Sequence, residues 1–528
     1  MEEVKANKSR KERQQMPIFA HVSSPSATSH TASTYLRWLL PALLLVAALR
    51  LWHLPAVALP DYDSVRNWQI IQEVAQLDWR HIFHHGSPGF YLFFAPITWL
   101  TTNYRVYLVL NGLVGVAALG IMTQWIARAA RLRGPETALL VLLAGSSVFL
   151  TFSGRDFTMS SLSLLALAGL MRAHWHRLQV PTQRNLLRTA VWLAVGLTIN
   201  YKFLLTTPVL LVLELLQADG LLWRKGNWWR VLMAVALPFI VLGILAWLIS
   251  SVPLWRWPAV YFVIMFPAAA NAAGRQGTVQ VDFAYYLRYL TDFESPLLLP
   301  GLAMALVWFG ADLRQRPTTI GAYLLVWAAC TLAGMSLLIK APRGLLFGYI
   351  PMYALPVVLL QKWPRAVALS LLVLALGYNG WQVQRQVLAY TPSSYPQVAT
   401  RLKQQQITRV ATAVGISLAP AAAEHGIAVT GANNLGQLAA LRRQGYRYLL
   451  LDDYYRVAGV QQFDTLRRLP YVAAWPELLL RSPLIYLEHS EYTGLGYQAT
   501  LQRQQQAARD TLQLRLIDLS TLPLPEPR

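Results

Sequence analysis

The chain has 528 residues, of which 55% are hydrophobic and only 13% charged, with 19 tryptophans. That balance excludes an ordinary soluble enzyme and places the chain among multi-pass helical membrane proteins. The formal charge of +21 does not imply nucleic acid, because the basic residues sit in short clusters between apolar segments, the pattern that marks cytoplasmic loops.

Residues 1–34 are polar. Lys5, Lys8, Arg10, Lys11 and Arg13 precede a Ser/Thr/Ala stretch, which predicts a disordered, basic cytoplasmic tail. The first apolar segment, 35–57, ends near Ala56-Val57-Ala58, a sequence that resembles a signal-peptide cleavage site. The long tail, Arg50 inside the apolar run and ten further spans argue instead for an uncleaved first helix. Those further segments fall at 104–127, 136–152, 157–171, 189–201, 203–218, 231–251, 296–311, 318–338, 344–361 and 366–382. Several are shorter than the ~20 residues a helix needs to cross a bilayer, so their ends must extend into the flanking residues. The single cysteine, Cys330, lies in an apolar stretch and excludes an intramolecular disulfide or a cysteine-based metal cluster.

The clusters Arg128/Arg131/Arg133, Arg172/Arg177/Arg184/Arg188, Arg224/Lys225/Arg230, Arg314/Arg316 and Lys362/Arg365 occupy alternate connections. A cytoplasmic N-terminus and eleven spans put them all inside. Outside lie 58–103, the Gly154-Arg155-Asp156 corner, 252–295 and Lys340-Ala341-Pro342-Arg343, with Lys202 at the junction of two short spans. The predicted transmembrane domain is therefore 35–382, with a first outer loop at 58–103.

After residue 383 the chain becomes rich in Gln and Arg. Short runs at Arg409–Val414, Ile427–Thr430, Tyr446–Leu451 and Leu484–Leu487 predict strands, and Tyr395–Gln406 and Leu435–Gln444 predict helices. The alternation predicts a small α/β domain over 383–528, on the outer side because the span count is odd. No Gly-x-Gly-x-x-Gly follows any of these strands, so no nucleotide site is expected there. No internal repeat is visible.

The first outer loop opens with Leu59-Pro60-Asp61-Tyr62-Asp63-Ser64. Two carboxylates at a bilayer surface are costly and point to chemistry; the alternative is a solvated turn whose acids cap the next helix. Val65, Trp68, Ile71 or Gln72, and Ala75 recur at helical spacing, widened by Ile70, Val74 and Leu77. This segment is too short and polar to span, and is expected to lie in the interface plane. Arg66 and Asn67 share a face with Asp63. Phe90–Leu100 is a second short apolar stretch.

From Asp63 the loop runs to Asp78-Trp79 and then to His85-Gly86-Ser87-Pro88-Gly89-Phe90-Tyr91. This order resembles the first outer loop of the GT-C glycosyltransferases, and is most similar to the protein O-mannosyltransferase and lipid A aminoarabinose transferase group. Those enzymes carry an Asp-Glu pair, a Gly-Asp-Trp and a Lys-Pro-Pro in that order. Gly154-Arg155-Asp156 resembles the family's Arg and acidic corner, and Gly196-Leu197-Thr198-Ile199-Asn200-Tyr201-Lys202 its Gly-Leu-x-x-x-x-Lys. Lys340-Ala341-Pro342-Arg343-Gly344 through Pro351 resembles its Pro-Arg-Tyr-x-x-x-x-x-Pro. Together the matches cover roughly residues 35–361. Ser64 stands where Glu is usual, Gly344 where Tyr is usual, and Ser87 where the first Pro is usual.

The resemblance implies a hexosyl- or pentosyltransferase of glycan biosynthesis. It would move a sugar from a polyprenyl-phosphate donor to a lipid, glycan or protein acceptor on the outer face of a bacterial inner membrane. It also implies roles. Asp63 is the expected base, with Asp61 as the alternative, or as a partner holding a metal or the acceptor. Lys202 and Arg343, then Arg155, are expected to face the donor phosphate. The bland alternatives are snorkelling for Lys202, headgroup contact for Arg343, and an ion pair with Asp156 for Arg155. Arg66, His84, His85 and Asp156 are expected at the acceptor or headgroup.

His81, His84 and His85 suit zinc by chemistry, but their spacing offers no fourth ligand. No metal site is assigned, although a divalent ion is compatible with the loop. Trp255, Trp257, Tyr261, Tyr285, Tyr286 and Tyr289 are read as an aromatic belt rather than a sugar-stacking platform, and Glu488, His489 and Glu491 as surface. Two other classes stay in view: a flippase or transporter of a lipid-linked glycan, which predicts midplane charges and repeated halves, and a non-catalytic membrane subunit whose outer domain binds a partner.

Overall fold

The computed structural model describes residues 29–216, 219–265, 281–315, 319–338 and 340–521. Most of the predicted tail, 1–28, lies outside them, as does the stretch 266–280 of the predicted outer connection 252–295.

Each predicted apolar segment contains a helix, in the expected order: Ser29–Leu51, Tyr104–Ala129, Gly134–Gly145, Ser160–Gln179, Gln183–Ile199, Thr206–Leu216, Asn227–Ser250, Leu298–Gln315, Ile320–Ser336, Tyr349–Leu360 and Arg365–Gln386. Among the described residues only four helical stretches are long and apolar enough to cross a membrane unaided, at Leu36–Ala56, Tyr104–Ala129, Asn227–Ser250 and Arg365–Gln404. A fifth forms only as a pair, Gly134–Gly145 with Val148–Gly154, bent by 65°. Position in the bundle explains part of the difference. Tyr349–Leu360 is buried along its whole length, so it is surrounded by protein and its apolar character serves packing. Asn227–Ser250 buries only Asn227, Gly243 and Ala246 and carries a full-length apolar surface instead.

The bend between Gly134–Gly145 and Val148–Gly154 exposes backbone amides that need a partner. Glu294, about 145 residues away in sequence, supplies it. Its carboxylate accepts from Val148 N (3.2 Å), Phe149 N (2.9 Å), Ser147 Oγ (3.2 Å), Tyr289 Oη (3.2 Å) and Tyr353 Oη (2.7 Å). Five buried donors depend on one side chain. Leaving a buried donor unpaired costs about 1–3 kcal/mol, so Glu294→Ala is expected to lower stability by more than about 3 kcal/mol even after partial relaxation. Glu294→Gln, which keeps an acceptor oxygen, is expected to lose less. Thermal unfolding of the two variants in detergent checks the order.

The C-terminal unit carries a five-stranded sheet: β1 (Arg409–Ala413), β2 (Ala428–Ala432), β3 (Tyr448–Asp452), β4 (Ala473–Pro476) and β5 (Gln513–Asp518), in the order β2-β1-β3-β5-β4. The first three strands are parallel, and β5 runs antiparallel to both β3 and β4. Alternate residues face opposite sides. Val410, Leu450, Leu514 and Leu516 pack with Val398 and Leu402 of helix Tyr395–Gln404, whereas Ala411, Leu449, Leu451 and Ile517 pack with Leu438 and Leu441. Three predicted strands are present. The fourth, Leu484–Leu487, is instead part of helix Pro483–Glu488, because a four-residue apolar run does not distinguish the two states and Pro483 suits a first helical turn. The short β4 and the alternating β5 went unpredicted.

This unit is fastened to one end of the apolar helices. Ser393 N donates to Ala56 O (2.9 Å), Tyr497 Oη to Asp292 (2.7 Å), and Arg105 pairs with Glu424 (2.7 Å). Within it, burial raises the Asp452 carboxyl to about 6 against hydrogen bonds from Tyr395 and the Tyr454 amide. Burial likewise raises Glu477 to about 7 against those from Ser393 and Ser394. Folded values above the unfolded ones mean that the stability from these groups is complete below about pH 4 and is lost as pH rises through 6 and 7. The Asp452 contribution is on the order of 3 kcal/mol. The unfolding midpoint of this unit, followed in the full-length protein, is expected to rise as pH falls from 8 to 5, and Asp452→Asn to flatten that rise.

Candidate active site

The site is built on the turn into helix Tyr62–Ala75, whose N-cap is Asp61. Asp61 Oδ1 accepts from Ser64 N (2.8 Å) and lies 2.7 Å from Ser64 Oγ. The capping role that sequence offers for either acid thus falls to Asp61. Ser64 Oγ also lies 2.5 Å from Asp156 Oδ1. One hydroxyl proton cannot serve two carboxylates, so one of the acids must carry another. Asp156 fits: burial, then the charge of Asp61, push its carboxyl well above the usual range. Asp61 and Asp156 are therefore joined through Ser64.

Asp63, one residue into the helix, has no capping duty. Its Oδ1 is 3.1 Å from His85 Nε2. Burial would raise its carboxyl, but the charge and hydrogen bond of His85, together with the charge of Arg343, hold it well below the usual carboxylate range. It is an anion. His85 reaches it from a strained turn: its φ is 51°, left-handed and uncommon for a side chain of this size. Gly86 follows with φ 62°, where an added Cβ would meet Tyr261 at 3.1 Å. The His84 and His85 rings lie 4.0 Å apart. Burial first, then the charge of His85, lowers His84 to about 3, so its ring is neutral, and its Nε2 is buried without a hydrogen-bond partner.

Gly89 lets the helix that follows, Pro88–Phe94, press against the end of Gln183–Ile199. A Cβ there would sit 2.5 Å from Thr198 Oγ1. That approach brings the 201–203 turn alongside: Tyr201 Cβ is 3.6 Å from the Cβ position of Gly86, and the Phe203 ring is 4.9 Å from that of Phe347. Lys202 thus lies on a turn touching both the histidine turn and the segment after Arg343. Its Nζ sits 5.9 Å from the Tyr201 ring centroid.

Arg343 is held by the C-terminal unit. Its backbone N donates to Glu488 Oε1 (2.8 Å) and its Nε is 3.5 Å from Glu488 Oε2. His489 donates through Nδ1 to Ile485 O (2.7 Å) and pairs through Nε2 with Tyr454 Oη (2.7 Å); Asp61, Arg343 and Asp63 all act on its titration. Ser490 Oγ donates to Lys340 O (2.6 Å). The reading of Glu488 and His489 as surface is thereby overturned. Both are buried, because their polar atoms pair across the junction with residues far away in sequence. The Glu491 side chain lies outside the described residues.

Other predicted residues have structural partners. Arg155 is buried and donates through Nη1 to Arg50 O (3.1 Å) and Trp52 O (2.6 Å), closing the end of helix Ser29–Leu51 rather than pairing with Asp156. Arg66 pairs with Glu73 (2.8 Å), which also takes His81 Nδ1 (2.8 Å). His81 is therefore apart from His84 and His85. Asn67, on the Asp63 face, braces the loop by donating to Phe157 O (3.2 Å) and accepting from Tyr91 Oη (3.0 Å).

The aromatic-belt reading is corrected too. Trp257, Tyr285, Tyr286 and Tyr289 are fully buried, and Trp257 is stacked between Phe83 (5.2 Å) and Phe239 (4.1 Å). Trp255 is exposed. Aromatic residues beside a polar loop do not reveal whether they face lipid or close a core; here the loop folds back and they close it.

No protein-family model and no curated protein sequence matches the chain. Similar solved structures include ArnT from Cupriavidus metallidurans in the apo state (14% identity, TM-score 0.49, covering 81% of this chain and 95% of that one). The same protein bound to undecaprenyl phosphate also matches (12% identity, TM-score 0.48, covering 93% and 100%). A third is the oligosaccharyltransferase of Archaeoglobus fulgidus in the apo form (11% identity, TM-score 0.49, covering 79% and 70%).

Proposed function

We propose that the chain is a membrane glycosyltransferase that moves a sugar from a polyprenyl-phosphate donor to an acceptor on the outer face of the membrane. The observation that carries this is an ionised carboxylate, Asp63, next to His85 and in the field of Arg343, at the end of the helices where the outer unit docks. In this reading the acceptor hydroxyl attacks the anomeric carbon, its proton passes to Asp63, and the bond from sugar to phosphate breaks. Charge develops on the departing polyprenyl phosphate, where Arg343 and Lys202 supply cations. A bound donor phosphate also draws on the charge of Arg343, which relieves Asp63 of one of the groups that suppress its basicity. Asp61, Ser64 and Asp156 hold the turn that presents Asp63.

The topology belonging to this reading has the N-terminus inside, eleven spans within 35–382, and 383–528 outside a bacterial inner membrane. The short, buried helices then cross within the bundle rather than against lipid. Hexosyl and pentosyl donors both suit the proposed chemistry. Comparison of surface glycans from cells with the gene, without it, and with the Asp63→Asn form tests the proposal. A sugar is expected to vanish in the second and third and to return only with the unaltered gene. Identical glycans in all three contradict it.

A further inference from the structure

Asp63, His84 and His85 each offer one ligand atom, and the three atoms lie within 4.8 Å of one another. His85 Nε2 and Asp63 Oδ1 are already 3.1 Å apart. A tetrahedral zinc ion with bonds of ~2.0–2.1 Å places its ligand atoms roughly 3.3 Å apart, so one pair already has about that spacing and the third atom lies within 4.8 Å of both. The second observation is independent. His84 Nε2 is buried without a hydrogen-bond partner, an arrangement that costs free energy unless something else satisfies the nitrogen. His81 is no part of the set, since Glu73 takes it at 2.8 Å. The grouping therefore does not follow from a histidine-rich loop alone; helix Tyr62–Ala75 supplies the carboxylate that the loop lacks.

We infer that Asp63, His84 and His85 form a three-ligand site for a divalent transition-metal ion, zinc being the best chemical match to two imidazoles and a carboxylate. Any part the ion plays in turnover, holding an oxygen of the donor phosphate or of the acceptor, rests on the transferase reading; the binding does not. Asp63 keeps its second oxygen for the acceptor proton while the first faces the ion.

The test uses the full-length protein in detergent, stripped with EDTA, exposed to zinc chloride and washed, with bound zinc counted by mass spectrometry. About one zinc per chain, as a three-ligand site predicts, is expected in the unaltered protein and in His81→Ala, and background alone in His84→Gln and His85→Gln. Equal zinc in all four, or none in the unaltered chain, overturns the site. A second measurement needs no variant: zinc is expected to shield His84 and His85, but not His81, from diethylpyrocarbonate, read by peptide mapping. Equal modification with and without zinc also overturns it. Zinc binding by a chain that transfers no sugar would keep the site and sink the transferase; transfer by a chain that binds no zinc would do the reverse.

Discussion

Asp63→Asn is expected to lower sugar transfer at least ~10²-fold, the usual worth of a positioned base, while leaving expression and membrane insertion intact. The substitution is nearly isosteric, and Asp63 caps no helix: that duty belongs to Asp61, through the Ser64 amide and hydroxyl. What Asn cannot do is take a proton or balance the positive charge of Arg343. The neighbouring acid separates the roles. Asp61→Asn weakens the cap and the bridge to Asp156, so its main effect is expected on stability, with transfer falling less. A near-normal Asp63→Asn beside a dead Asp61→Asn would exchange the two roles. Normal transfer in both would end the enzyme reading.

Arg343→Ala is expected to weaken binding of sugar-free polyprenyl phosphate roughly 10- to 100-fold, because a hydrogen bond to a charged group contributes about 1.5–3 kcal/mol and each 1.4 kcal/mol is tenfold. Arg343 is suited to the task by its setting: Glu488 fixes its backbone and its Nε side, and the acid itself is buried. Arg343→Lys keeps charge but not the planar fork, and partial rescue is expected. Lys202→Ala is expected to weaken the same binding about tenfold, as loss of one point charge. The assay is equilibrium binding of the carrier lipid to purified protein. Unchanged affinity in both alanine variants would remove these residues from the donor site and leave them as headgroup anchors.

The apolar helices were legible in the sequence because long hydrophobic runs have few other fates, and the sheet was legible where short β-branched or aromatic runs were bounded by polar turns. Depth was not legible. Tyr349–Leu360 and Asn227–Ser250 read alike as apolar segments, yet one is fully interior and the other largely exposed on the protein surface. At the candidate site, the sequence singles out Asp61, Asp63, His84, His85, Lys202 and Arg343 as expected site residues, and the structure places Asp63 beside both histidines. Local sequence could not assign partners that arrive from far away: Asp156 on Ser64, Glu488 on Arg343, Glu294 on the bent helix pair. Those pairings span 92 to 145 residues, and nothing in the spacing of either partner announces them. Arg155 is the converse case, a cation at the right corner of the motif whose visible hydrogen bonds close a helix end.

The most direct test of the central claim is release of the carrier. Purified protein in liposomes, given a polyprenyl-phosphate sugar extracted from the source membrane together with the cell's acceptor fraction, is predicted to liberate sugar-free polyprenyl phosphate in step with glycosylation of the acceptor, and Asp63→Asn is predicted to reduce both at least ~10²-fold. Carrier release at the same background rate in the unaltered and Asp63→Asn proteins, or passage of the intact lipid-linked sugar across the bilayer with none released, would contradict it.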